Sequence, residues 1–381
     1  MKVINGNDFS YFQATKFWRN DKFDNCGGEI SGNLKKTNVI CAETRQIYSV
    51  LLSFFRTNQV LGSLIFLLYL FVLRSIPLLL APLEAWSPKV SGVLFIWFSN
   101  LLKDSPIWME NVVSVALLFI HAVYITLFLR KNQMSGENIL IPSALYLLTA
   151  CAIPIFLHLN PILLANTFLL IAIDQMMGIY RNPNSAGKIF NIGFWIAVAS
   201  LFYFSYSCFL FLAIFGLSSL RAFKLNEFLT LIIGALSVYF LAYAYALWND
   251  QLWVFHQSQI LDNIAILDFT KSSSVSTYVQ LAIVGIFVLV ALVTYGTIVR
   301  RQNMQFQKRT GILYIIAAIS ATSLLFQANV EVAHVGILIV PVGLLLGLMV
   351  NSSNKTSAEI IHLFLLLLVL MWQASPYWMS A

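Results

Sequence analysis

Charge is scarce in this chain: charged residues make up 10% of 381 positions, and Asp and Glu together number 16. A soluble domain needs a charged shell. With 59% hydrophobic residues and a mean hydropathy of +0.80, the apolar side chains exceed what one core can hide, and the composition is that of an all-α polytopic membrane protein. Cysteine is nearly absent too: Cys26 and Cys41 lie in a polar N-terminal stretch, Cys151 and Cys208 inside apolar runs. None forms a CxxC pair or stands at metal spacing from a histidine, which excludes a zinc framework and gives no ground for disulfides. A P-loop, a GxSxG, an HExxH and a heptad array are also missing, so no motif names a reaction. The net charge of +7 does not point to nucleic acid, because the basic residues stand in short clusters at the ends of apolar runs and follow membrane topology instead.

What is present is a series of apolar runs. Residues 1–48 mix Asn, Asp, Lys and aromatics without period and lack the apolar centre of a secretory signal. They read as a disordered or spurious N-terminal extension, and residues 49–381 as a single transmembrane domain. The stretch from Asn160 to Phe228 organises the rest. It holds Pro161 to Ile179, with Asn166 and Asp174, and then Ile189 to Leu220, uncharged and about twice the length of one crossing, hence two short helices broken near Tyr203-Phe204-Ser205. Gly193 and Ser200 allow close helix contact there. Further crossings are expected at Val60 to Leu80, Val112 to Leu129, Ile139 to Leu157, Phe228 to Leu247, Tyr278 to Val299, Gly311 to Gln327, Val335 to Val350 and Ile360 to Gln373, about eleven in all. The run from Val90 to Leu102, rich in Trp and Phe and too short to span, reads as a helix lying in the interface. Residues Trp248 to Thr277 read as the longest outer loop.

Arg56, Arg130, Lys131, Arg181, Lys188, Arg221, Lys224, Arg300, Arg301, Lys308, Arg309 and Lys355 fall on one side of this arrangement, and chiefly Lys89, Lys103 and Lys271 on the other. The first side is therefore expected to be cytoplasmic, with the N-terminus inside and the C-terminus periplasmic.

Ionisable groups in or near the membrane are the candidates for chemistry. Arg74, just before a proline at the outer end of the first crossing, suits a bidentate phosphate clamp or a snorkelling anchor. Glu84, in the outer loop beside Trp86, suits a general base or a ligand for a divalent metal ion, against the plainer reading of a solvated loop acid. Glu110 opens a helix, where the dipole favours it. Asp174 is expected to pair with Arg181 or Lys188. Glu331 and His334, three residues apart, can share a helix face as a proton-active, substrate-binding pair. His121, His158 and His334 lack a repeated short spacing and read as packing residues rather than a metal centre.

The stretch Phe54-Phe55-Arg56-Thr57-Asn58-Gln59, the run ending in Arg74, Phe190-Asn191-Ile192-Gly193-Phe194 through Tyr203, and Arg221-Ala222-Phe223-Lys224-Leu225-Asn226-Glu227-Phe228 resemble an uncharacterised family of bacterial polytopic membrane proteins over residues 50 to 381. The order of parts is also similar to the membrane module of GT-C glycosyltransferases, which use polyprenyl-linked sugar donors. In that fold an outer loop bearing an acid and a surface helix precede paired short crossings. Glu84, the Val90 to Leu102 helix and the Ile189 to Leu220 pair stand in those places, although a single Glu84 replaces the paired acids common there. The resemblance implies a bacterial inner-membrane protein handling a polyprenyl-phosphate-linked glycan, with membrane lipid as its partner; no cofactor is expected beyond the divalent metal ion that Glu84 could hold. The alternative is a non-enzymatic component of an envelope assembly or transport complex.

The orientation is testable directly. In a background lacking the native cysteines, cysteine at Ser274 should react with an impermeant thiol reagent added outside and cysteine at Asn303 should not. The reverse pattern inverts the topology.

Overall fold

The computed structural model describes residues 55, 64–75, 91–134, 140–152, 156, 158–180, 182, 184–220, 224–263, 285–290, 292–293, 296, 299, 302–323 and 332–379. Residues 1–48 and much of the expected crossings at 60–80 and 278–299 lie outside them. Every regular element among the described residues is helical, and no strand occurs among them.

In chain order the helices are α1 (Ile65–Leu73), α2 (Val93–Leu102), α3 (Ile107–Lys131), α4 (Ile141–Cys151), α5 (Pro161–Met177), α6 (Ala186–Phe202), α7 (Phe209–Leu220), α8 (Leu225–Trp248), α9 (Leu252–Gln259), α10 (Met304–Ser323), α11 (Val332–Val335), α12 (Ile339–Ser352) and α13 (Lys355–Met379). Three contain stretches long and apolar enough to cross a membrane: Trp108–Lys131 in α3, Leu225–Trp248 in α8 and Lys355–Gln373 in α13. The 24 residues of the α8 stretch span about 36 Å at 1.5 Å per residue, more than the hydrocarbon thickness. Other apolar helices are shorter, among them α2, α4, α5 and α6.

Local chemistry sets these boundaries. In α3, Glu110 sits in the first turn and Arg130 and Lys131 in the last, each at the favourable end of the helix dipole. Its buried positions Ser114, Leu118, His121, Ile125, Phe128 and Asn132 recur at helical spacing, while Val112, Ile120 and Leu127 are exposed on the other side. Asn160 caps α5 by accepting from the Leu163 N–H at 2.7 Å, and Pro161 occupies the first turn, where its missing N–H costs nothing. The uncharged run from Ile189 to Leu220 divides as its length requires: α6 stops at Tyr203, which is extended at φ −151°, and a 3-10 turn over Phe204–Cys208 leads into α7. A second 3-10 turn, Gly336–Leu338, separates α11 from α12.

Two expected crossings are corrected. The run expected over Ile139 to Leu157 contracts to α4, 11 residues long, because Pro154 follows closely and has no N–H with which to extend the helix. The helix expected from Gly311 begins at Met304, where Asn303 Oδ1 accepts the Phe306 N–H at 2.8 Å, so Lys308 and Arg309 lie inside α10 rather than ahead of it. The helix expected over Val90 to Leu102 is observed as α2, 10 residues long.

Close backbone contact holds the bundle together. A Cβ on Gly193 of α6 would overlap the Leu231 carbonyl of α8, and one on Gly234 would overlap the Phe190 carbonyl in return. Gly343 and Gly347, one turn apart on α12, pack in the same way on Tyr146 and Pro142 of α4. α4 is buried along its whole length and α12 from Ile339 to Val350, so this pair forms the centre. The coat is apolar: Leu68 and Phe71 on α1, Phe240 and Leu241 on α8, and Phe364 and Leu367 on α13 are exposed.

Gly347→Ala should therefore cost roughly 1–3 kcal/mol, because its new methyl has to displace backbone. Gly311→Ala, where nothing lies within 4 Å of the added carbon, should be neutral or stabilising by up to about 1 kcal/mol. Thermal unfolding of the detergent-solubilised protein compares the two, and equal effects would refute the close packing of α4 on α12.

Candidate functional site

The last carbonyls of a helix have no partner within the helix and need one elsewhere. At one end of the bundle lysine and arginine supply it. Lys188 Nζ donates to the Gly178 carbonyl after α5 at 2.8 Å, and Lys308 Nζ to the Ser219 carbonyl of α7 at 3.0 Å. Arg309 Nη1 donates to the Asn132 carbonyl after α3. Each cation also meets the negative end of a helix dipole. A buried carboxylate at this end is Asp174, which takes Lys131 Nζ at 2.7 Å, Asn132 Nδ2 at 3.0 Å and the Tyr124 hydroxyl at 3.4 Å. Asp174 thus pairs with Lys131 rather than with Lys188, one of the two cations expected. Lys131 ends α3 at the level where α5 ends, whereas Lys188 is occupied by Gly178; Arg181 lies outside the described residues.

The opposite end carries a different cluster. Arg74, 2% exposed, points into the protein from the C-terminus of α1. Its Nη2 donates to Ser114 Oγ at 2.8 Å and to the Phe156 carbonyl, and Ser114 Oγ donates to the same carbonyl at 2.9 Å. Nη1 reaches the Asn111 carbonyl at only 3.5 Å, and Nε has no partner among the described residues. Every one of these acceptors is neutral. The Phe156 ring lies against Gly336, which follows His334 by two residues in the chain. His334 is buried and shares a hydrogen bond with the Tyr203 hydroxyl at the break between α6 and α7. Tyr206, edge-on to Tyr203 at 6.3 Å, donates to Asn166 Oδ1 at 2.6 Å. Both helix breaks thus meet around buried hydroxyl, amide and imidazole groups, an arrangement that keeps irregular backbone away from lipid.

Of the residues singled out by sequence, Arg74 and His334 come into this region, while Glu84 and Glu331 lie outside the described residues. His121 sits at mid-length of α3 with Nδ1 on the Tyr146 hydroxyl at 2.9 Å and Nε2 on Thr167 Oγ1 at 2.7 Å, so hydroxyls from α4 and α5 occupy both ring nitrogens. The pairing recurs: His362 meets Tyr69 at 2.8 Å and His256 meets Tyr243 at 2.7 Å. Among the described residues no three His, Cys, Asp or Glu side chains gather at metal-binding spacing. Sequence reasoning missed Ser114, Tyr206 and Gln259. Ser114 was legible, since it lies two turns before His121 on one face of α3. Gln259 was not, because it bridges segments far apart in sequence, accepting from the Val93 N–H at 2.9 Å and donating to the Ser200 carbonyl at 2.8 Å.

These features define an all-helical protein with three helices long and apolar enough to cross a membrane. A scan against protein-family models, a search of curated proteins and a search of solved structures each found no match to the chain.

The basic end gives an ordered pair of expectations. Lys131 has a side chain 60% exposed and is rehydrated easily, so Lys131→Ala should cost less than about 1 kcal/mol. Asp174→Ala leaves Asn132 and Tyr124 without their acceptor beside Arg309 and should cost about 1–3 kcal/mol. Thermal unfolding of each variant measures the order, and a costlier Lys131→Ala would refute it.

Proposed function

We propose that this is a multi-pass protein of a bacterial inner membrane, with about eleven crossings in a GT-C-like order, its N-terminus cytoplasmic and its C-terminus periplasmic. Its function in this reading is to bind a polyprenyl-phosphate-linked glycan at the end opposite the basic clusters. Arg74 holds the phosphate, Glu84 acts as the base for transfer, and Glu331 and His334 complete the substrate site. One observation carries the reading: among the described residues, the buried Arg74 guanidinium meets only neutral acceptors. A buried charge is stable when an opposite charge meets it, and a phosphate would supply that charge to the unpartnered Nε and the weakly held Nη1. At the basic end, by contrast, Arg309 already has Asp174 in its field.

The second reading, a non-enzymatic component of an envelope assembly or transport complex, is favoured by the Nη2 contacts. Arg74 already caps the Phe156 carbonyl, which is the work of a structural strut.

Thermal shift in nanodiscs separates the two. A polyprenyl phosphate at 100 times its Kd should stabilise the wild-type protein by about 2.7 kcal/mol, and the unphosphorylated polyprenol should not. Arg74→Lys should lose most of that response, since an ammonium cannot present the planar fork. Glu84→Gln should keep the response and lose transfer to an acceptor. No response in the wild type, or an undiminished one in Arg74→Lys, leaves the structural reading standing.

A further inference from the structure

We propose that α9 and α2 together form an apron that docks on the lipid surface, both helices lying in the headgroup boundary of one leaflet at the end opposite the basic clusters. The segment containing α9 reads in sequence as part of an aqueous loop, and its geometry argues otherwise. Neither helix contains an Asp, Glu, Lys or Arg: their sequences are VLFIWFSNLL and LWVFHQSQ. The charges fall at their ends, on Lys103 and Asp104 after α2, and on Asp250 and Asp262 on either side of α9. At 10 and 8 residues they are about 15 and 12 Å long, too short to cross a hydrocarbon core of about 30 Å.

Their outward faces are large and apolar. Trp253 is 65% exposed and Val254 64%, and on α2 Trp97 is 59% exposed. The occupant follows from continuity. The exposed strip of α8, a helix able to cross, runs through Tyr245 and Leu247 to Trp248, which is 88% exposed. Asp250, at φ 54°, then turns the chain and α9 begins, so the apolar strip passes directly from the crossing helix onto the apron. Tryptophan concentrated where a crossing helix ends is the pattern of a membrane–water boundary. Gln259 makes the two helices one body, since its side chain accepts from the first N–H of α2 while donating to the Ser200 carbonyl of α6. Gly92, just before α2, donates to the Phe202 carbonyl at 2.9 Å, so the apron also closes the end of α6.

The test uses the full chain in phosphatidylcholine–phosphatidylglycerol nanodiscs, with the native cysteines replaced and a bimane attached to Val254→Cys or Asp262→Cys. At position 254 the emission should be blue-shifted relative to 262 and quenched by a lipid carrying a nitroxide near its headgroup. Reaction of Val254→Cys with an impermeant maleimide should be roughly tenfold slower than that of Asp262→Cys, the ratio given by about 1.4 kcal/mol of interfacial burial. Water-like emission and fast labelling at both positions would overturn the proposal. So would a position 254 that is protected in cells but wet in nanodiscs, because that result assigns the face to a protein partner. A second variant guards against failure of the cysteine-free background: Trp253→Phe in the otherwise native chain should lose part of the tryptophan emission quenched by brominated lipid, and no loss would overturn the proposal.

Discussion

Wherever a helix of this bundle stops short of water, its last carbonyls have to find donors inside the protein. The bundle breaks its helices repeatedly, and at several of the described breaks and ends a donor comes from elsewhere in the chain. Arg74 and Ser114 meet the Phe156 carbonyl, Gln373 meets Cys151, Gln259 meets Ser200, and the Gly92 N–H meets Phe202. At the other end Lys188, Lys308 and Arg309 do the same for Gly178, Ser219 and Asn132. In an apolar surrounding an unmet carbonyl costs several kcal/mol, while a helix–helix hydrogen bond contributes only about 0.6 kcal/mol on average, so these donors are retained chiefly to avoid a penalty.

That constraint gives the clustered cations a second role. Positive residues at the ends of apolar runs are read first as signals of topology. Three of them also sit on helix C-terminal carbonyls, where dipole and orphaned oxygens both favour a cation. The same side chains can set orientation during insertion and fix helix packing afterwards. Asp174 then offsets the charge that such a gathering leaves, holding Lys131 and Asn132 together.

The sequence made the all-helical class legible through the lengths of its apolar runs, and it made the break at Tyr203 legible because Ile189 to Leu220 is too long for one crossing. The close approach at Gly193 was visible as a small residue in an apolar run, although its partner Gly234 was not, since pairing across helices leaves no local periodicity. Partners were the weak point throughout. Asp174 was assigned to cations close to it in the chain, whereas among the described residues Lys131, 43 positions away, is the cation in contact. Arg74 could be placed at the end of α1, but its acceptors come from α3 and the segment after α4, and nothing in a single sequence joins those. The apron was half legible: α2 announced itself by length and aromatic content, while α9 is 8 residues long with four of them polar or histidine and resembled a loop.

Arg74 and Arg309 make the decisive comparison, because both are buried arginines that cap a carbonyl beyond the end of another helix. Around Arg309 the chain provides an acid, Asp174, and a glutamine, Gln305, whose side-chain amide, turned so that its oxygen faces Arg309, accepts from both terminal nitrogens at 2.7 and 2.9 Å. Around Arg74 the described residues provide a hydroxyl, carbonyls and the Cys151 thiol. A carbonyl cap by itself does not require an arginine: Gln373 does that work at Cys151, and Gln259 at Ser200, without bringing a charge into the interior. Choosing a guanidinium over an amide at Phe156 adds a full desolvation cost that the cap does not recover. The excess is intelligible if the charge has a second duty, and an anion entering beside Phe156 would give it one.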